Sequence, residues 1–217
     1  MEPEHPPHAP RHEGVFWTPG TSPQMPQELG LFKPLKLDDQ PEEVRPFFLG
    51  ICGGDSAGKS RVLKTIMLKL DLDVDYIEEC DFYLPVESAE AAEWHNFDAP
   101  EAVDFLLMRQ CLDTLREGTP FSTPQYTITR HKRKKKGRKV RPRPVIVVLG
   151  LFLFHVESIR NLLDLKIFID APDDTRLANR VFKHMSEYHY TLEYILEYYM
   201  RYTRVGYQTF IEPVSPT

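Results

Sequence analysis

Gly53-Gly54-Asp55-Ser56-Ala57-Gly58-Lys59-Ser60 follows directly on the apolar run Phe47-Phe48-Leu49-Gly50-Ile51-Cys52, and it constrains this chain more than any other stretch. It fits the spacing G-x-x-x-x-G-K-[ST], and its neighbours supply the context which that spacing needs. The apolar run reads as a short buried strand. From Arg61 onward, Val62, Ile66 and Leu70 recur on one face, as a helix requires. Strand, glycine turn and helix together make a phosphate-binding loop. Gly53, Gly54 and Gly58 let backbone N–H groups close around phosphate oxygens with no Cβ in the way. The helix N-terminus adds its partial positive charge. In such a loop Lys59 reaches the β- and γ-phosphates of a nucleotide such as ATP, and the Ser60 hydroxyl ligates Mg²⁺. Asp55, Ser56 and Ala57 complete the cradle. An ordinary glycine turn is the bland alternative, and the strand–helix context argues against it.

The rest of the globular part alternates strands with helices. Val74–Glu78 reads as a second strand, ending at Cys80-Asp81-Phe82-Tyr83. Pro100 is expected to open a helix, with Asp98 or Ala99 at its N-cap and Val103, Leu106, Leu107, Cys111 and Leu115 as its apolar stripe. Phe121 to Arg143 alternates and carries a basic run, which suggests a β-hairpin arm. Val145–Leu149 and Leu165–Ile169 are continuous apolar runs, as in parallel strands buried on both faces. Short helices are expected over Ile159–Leu163 and from Asp173 to about Tyr188, with a tyrosine-rich helix after Thr191. The predicted fold is α/β, an open parallel sheet with helices on both faces and a hairpin arm.

The net charge of -5 conceals an asymmetry. Arg130 to Arg143 holds ten Lys or Arg and no acid, leaving 17 bases against 32 acids elsewhere. A solvated hairpin tip is preferred over a nuclear-localisation or nucleic-acid patch, since the aromatic interleaving of a single-strand binder is absent. Residues 1–45 are proline-rich and non-periodic, and are expected to form a disordered tail before a domain spanning 46–217. Three scattered cysteines fit neither a disulfide framework nor a Cys-based zinc site, so a reducing, cytoplasmic setting is expected. Neither a signal peptide nor a membrane span is visible in the sequence. Tyr194, Tyr198, Tyr199 and Tyr202 follow helical spacing, suited to core packing or to an interface between copies.

The order of motifs resembles the uridine–cytidine kinases of the phosphoribulokinase/uridine kinase family over roughly residues 46 to 213. The glycine loop carries that resemblance together with Asp81-Phe82-Tyr83, Asn96-Phe97-Asp98-Ala99-Pro100, Pro124-Gln125-Tyr126 with the trailing His131-Lys132-Arg133-Lys134, and Leu165–Asp170 with Asp174-Thr175-Arg176-Leu177. The resemblance implies transfer of the ATP γ-phosphoryl group to the 5′-hydroxyl of a nucleoside, uridine or cytidine, in pyrimidine salvage. It implies that Asp98 holds the ribose hydroxyls, Tyr83, Phe97 and Tyr126 wall the nucleoside, His131 meets the base edge, and Arg176 lies near substrate and phosphates. The family's second strand ends in Asp-x-Phe-Tyr, whose Asp accepts the 5′-hydroxyl proton; here that place is Cys80, and Asp81 could serve only after a one-residue slip. The family's Glu-Gly at the end of a later strand is Leu149-Gly150 here. Asn179 stands for an Arg, Tyr188-His189-Tyr190 for Arg-Gly-Arg, and Thr217 falls short of the family's last strand and helix. Two alternatives follow from these departures: a catalytically impaired nucleotide-binding relative acting through partners, and a kinase for another small hydroxylated substrate.

Overall fold

The computed structural model describes residues 45–69, 73–88, 91 and 94–215. The expected tail therefore lies outside the described residues, except for Arg45, as do Leu70 and the last two residues.

Four parallel strands form the main sheet. β1 (Phe47–Gly53) and β7 (Val145–Gly150) pair at its centre, with β2 (Val74–Glu78) beyond β7 and β8 (Leu165–Ile169) beyond β1. Alternation along these strands feeds two cores. Phe48, Cys52, Ile77, Ile146 and Val148 face one way, onto Met108, Cys111, Leu112 and Leu115. Leu49, Ile51, Val147 and Leu149 face the other way, onto Leu63 of α1 (Lys59–Lys69). Because the strands run parallel, Gly53, Glu78, Gly150 and Ile169 all reach the same edge of the sheet, where ligands of open α/β sheets bind.

α2 (Phe105–Arg116) starts later than its proline suggests. Pro100–Ala102 forms a separate 3₁₀ turn, and Asp104 caps α2 by accepting the Leu107 N–H at 3.0 Å. Leu106 is 72% exposed, and the buried stripe keeps the expected Cys111 and Leu115 but adds Met108 and Leu112. A second shift is small: α3 spans Glu157–Arg160, ahead of the expected position.

The hairpin arm is two-tiered. β3 (Phe121–Thr123) pairs antiparallel with β6 (Arg138–Val140), and β4 (Tyr126–Thr127) pairs with β5 (Lys132–Arg133). His131 turns the chain between β4 and β5 with φ 50°. Three arginines of the basic run act as struts to the body. Arg133 bonds the Phe82 and Tyr83 carbonyls and Asp104, Arg138 bonds Asp75 at 2.7 Å, and Arg143 pairs with Asp73.

α4 (Asp173–Glu187) leads to α5 (Leu192–Tyr198), where Thr191 caps by accepting the Tyr194 N–H. The helical path continues to Ile211 through two π-helical stretches, Tyr199–Thr203 and Tyr207–Ile211. The tyrosine stripe packs inward. Tyr198 Oη donates to the His95 carbonyl at 2.9 Å and accepts the Phe97 N–H at 3.0 Å, and Tyr202 Oη donates to the Trp94 carbonyl at 2.8 Å. Among the described residues no helix is long and apolar enough to cross a membrane.

Candidate active site

A cavity of about 720 Å³ opens at the C-terminal edge of the sheet. The glycine loop lies at one end, and Tyr83, Phe97, Asp98, Tyr126 and His131 line the other. The end of β2 and one face of α4 complete the walls.

Close approach shapes the loop. A Cβ on Gly54 would meet Arg176 Nη1 at 2.5 Å, and one on Gly53 would meet the Ile169 carbonyl at 2.5 Å. Lys59 Nζ donates to the carbonyls of Gly53 (2.9 Å) and Gly54 (2.7 Å), so the ammonium lies curled over the loop. Ser60 is exposed and lines the cavity.

Asp55 puts a carboxylate inside this cradle, and Arg180 of α4 answers it at 2.5 Å. Burial would push the Asp55 carboxyl up, but Arg180 and Lys59 outweigh it and hold it below the usual range. The Arg180 charge also acts on Asp98, whose carboxyl is raised by burial. Asn179 Nδ2 donates to the Ser56 carbonyl at 3.2 Å, so this replacement ties α4 to the loop rather than adding a cation.

Asp98 is not a helix cap. Asn96 Oδ1 accepts its amide N–H at 3.0 Å, while Asp98 Oδ2 accepts the Thr203 hydroxyl at 2.7 Å, leaving the carboxyl on the cavity wall. Around it Tyr83 meets Phe97 and Tyr126 edge-on at 5.2 and 5.5 Å, and Phe97 stacks on His131 at 5.3 Å. Tyr126 Oη and His131 Nδ1 are buried with no hydrogen-bond partner among the described residues. Burial, with His95 nearby, lowers the His131 pKa and favours the neutral ring.

The end of β2 differs from expectation. Burial, reinforced by neighbouring acids, pushes the Cys80 thiol up to about 12, so it stays protonated at neutral pH. Asp81 lines the cavity beside Cys80. Its Oδ1 accepts the Tyr126 N–H at 3.2 Å, which anchors the hairpin. Arg176 also departs from its expected place. It is 3% exposed behind Gly54, stacked on Tyr207 at 3.5 Å and bonded to Asp173, and it does not line the cavity. The cation one turn later, Arg180, lines it instead.

Three residues escaped the sequence reading. Arg180 was legible in principle, one helical turn beyond Arg176. Glu79 had no clear signal, being one of several acids at the end of the second strand, with Glu78 and Asp81 beside it. Thr203 had none, since it meets Asp98 across 105 residues of chain.

The chain matches the Phosphoribulokinase / Uridine kinase family over residues 48–216. The uridine kinase of Borrelia duttonii (strain Ly) is 39% identical over 168 residues, covering 77% of this chain and 81% of that protein. A chloroplastic uridine/cytidine kinase of Arabidopsis thaliana is 32% identical over 180 residues, covering 81% of this chain and 37% of that longer protein. The solved phosphoribulokinase of Rhodobacter spheroides superposes with a TM-score of 0.57 at 16% identity, covering 79% of this chain and 67% of that one, a likeness of fold alone. A strand, a phosphate cradle and a walled pocket in one cavity agree with those matches, and the chain belongs to the Phosphoribulokinase / Uridine kinase family.

Proposed function

We propose that this protein transfers the γ-phosphoryl group of ATP to the 5′-hydroxyl of a pyrimidine nucleoside, uridine or cytidine. The observation that carries the reading is the continuity of one cavity from Lys59 to Asp98. A donor and an acceptor held at its two ends are brought to an effectively intramolecular encounter, which supplies much of the rate of such reactions. The relatives named for uridine and cytidine support the substrate class.

The roles follow from the chemistry of each group. Backbone N–H groups of the loop and the N-terminus of α1 receive the phosphates. Lys59 exchanges its two carbonyl partners for phosphate oxygens. Asp98, buried with one oxygen on Thr203, offers its remaining lone pairs to the two ribose hydroxyls. Tyr126 Oη and His131 Nδ1 supply unspent hydrogen-bonding capacity for the base, between aromatic faces.

Mg²⁺ fits as an ion that arrives with the nucleotide. Ser60 supplies one hydroxyl at the cavity mouth, and no group of three or more His, Cys, Asp or Glu able to hold a metal occurs among the described residues. Phosphate oxygens and water would complete its shell, as Mg²⁺ prefers. Bound there, the ion offsets negative charge on the phosphates.

The test is an assay of the protein with ATP, Mg²⁺ and a panel of nucleosides and sugars, with products identified. Equal amounts of ADP and uridine or cytidine 5′-monophosphate are expected. Phosphorylation of a sugar in preference to every nucleoside, or of nothing, refutes the reading.

A further inference from the structure

Two positions at which the family carries functional carboxylates hold Cys80 and Leu149 here. Neither side chain can take up a proton at neutral pH. Cys80 is a buried thiol raised to about 12, and Leu149 is packed into the core around Leu63. Asp81 also lines the cavity, but its Oδ1 is spent on the Tyr126 N–H of the hairpin, and the cations that act on it, Arg138 and Lys134, lie on that arm.

Glu79 occupies the space between these positions. It is 2% exposed yet lines the cavity. Its side chain crosses from the end of β2 to the end of β7, where Oε1 accepts the Leu151 N–H and Oε2 the Phe152 N–H, both at 3.0 Å. The fit depends on glycine, because a Cβ on Gly150 would lie 2.2 Å from Oε2. The charge of Glu79 acts on Lys59 at the donor end and on Tyr83 at the acceptor end. Cys52 and Cys80, the other titratable groups beside it, are thiols held protonated by burial.

We propose that Glu79 is the proton acceptor of this enzyme, a carboxylate delivered to the sheet edge from the place next to the one that sequence alignment indicates. The inference rests on the phosphotransfer reading above. Two of the roughly four lone-pair sites of an ionised carboxylate are taken by the amides, which leaves two for an acceptor hydroxyl. As the hydroxyl oxygen bonds to the γ-phosphorus of ATP, its proton passes to Glu79, the bond from that phosphorus to the β,γ-bridging oxygen breaks, and ADP leaves with the bond pair. The proton is then released to water. Burial, working against the two amides and Lys59, raises the Glu79 carboxyl to about 7, close to where a general base is most effective.

The experiment measures kcat/KM for the nucleoside against pH in the full chain, for wild type, Glu79→Gln, Glu79→Asp, Asp81→Asn and Glu79→Gln/Cys80→Asp. Wild type is expected to lose rate on the acid side with a midpoint near 7. Glu79→Gln should lose about 10²–10⁴-fold and that acid limb with it, while ATP affinity changes little. Glu79→Asp should keep the limb at lower rate, which covers the case in which glutamine disrupts folding. Adding Cys80→Asp to Glu79→Gln should restore part of the rate. A Glu79→Gln enzyme with wild-type rate and an unchanged acid limb overturns the inference alone, as does loss of activity in Asp81→Asn with Glu79→Gln active. Absence of turnover in wild type overturns the inference and the functional reading together.

Discussion

Arg180→Met removes the guanidinium that answers Asp55 inside the phosphate cradle and acts on Asp98 beyond it. Stranding one partner of a buried ion pair costs about 3–5 kcal/mol. The Arg180 side chain is 8% exposed and that of Asp55 26%, which places this pair at the lower end, about 3 kcal/mol. With a urea slope of about 2 kcal/mol per molar, the unfolding midpoint should fall by about 1.5 M. Asp55→Asn/Arg180→Met should recover much of that loss, because no unpaired carboxylate is left in the loop, with a coupling of about 1–3 kcal/mol in the cycle. ATP affinity should drop in the single variant, where an uncompensated Asp55 repels phosphate, and return in the double. The sign of the pH dependence is fixed as well. Asp55 titrates below its ordinary value in the folded protein, so the pair stabilises above the usual aspartate range and its contribution fades below about pH 4. Arg180→Met should flatten that acid-side loss. A cost under about 1 kcal/mol, or a double variant no better than the sum of the singles, refutes the reasoning.

Three further outcomes are expected. Thr203→Val deletes a hydroxyl donor to a buried carboxylate, a bond worth about 1.5–3 kcal/mol, and should raise the nucleoside KM while leaving ATP binding unchanged. Steady-state kinetics with each substrate varied separates the two. Asp81→Asn keeps an oxygen for the Tyr126 N–H and should hold turnover within about threefold of wild type, the range of a change of about 0.5 kcal/mol. Glu79 binds its proton more tightly when folded, its carboxyl rising from 4.5 to about 7, so wild-type stability should fall as pH rises through that window. The fall is on the order of 3 kcal/mol, and urea titrations of Glu79→Gln should lack it.

Local patterns made most of the sheet legible. The runs Val145–Leu149 and Leu165–Ile169 are both strands within one residue of their expected bounds, but only the first is buried on both faces; the second is the edge strand β8, with Leu165 49% exposed. The glycine loop announced itself through spacing and context together. Failures arose where long-range contacts override local preference. Pro100 is a good first residue for a helix, but Val103 is drawn into a bridge with Tyr83, so the helix waits for Asp104. Arg176 sits on the right helix, and packing against Tyr207 turns it behind the loop, so the cavity takes its cation from the next turn. Most of the basic run is the expected solvated tip, and what stayed hidden is that Arg133, Arg138 and Arg143 tie it to the body, because their partners Asp104, Asp75 and Asp73 are distant in sequence. Glu79 was hidden for the same reason, since its partners at Leu151 and Phe152 lie 72 and 73 residues away.

On the proposed function, one cavity holds a nucleoside triphosphate at Lys59 and a nucleoside at Asp98, ready for transfer. The most direct measurement is calorimetric binding of a bisubstrate analogue, adenosine and uridine joined 5′ to 5′ through four phosphates, beside ATP and uridine alone. Joining two occupants of one continuous site at an effective concentration in the millimolar range should tighten binding about 10²-fold or more over ATP. Lys59→Ala and Asp98→Asn should each remove most of that gain. An analogue that binds no more tightly than ATP, or whose affinity ignores Asp98, would contradict the account.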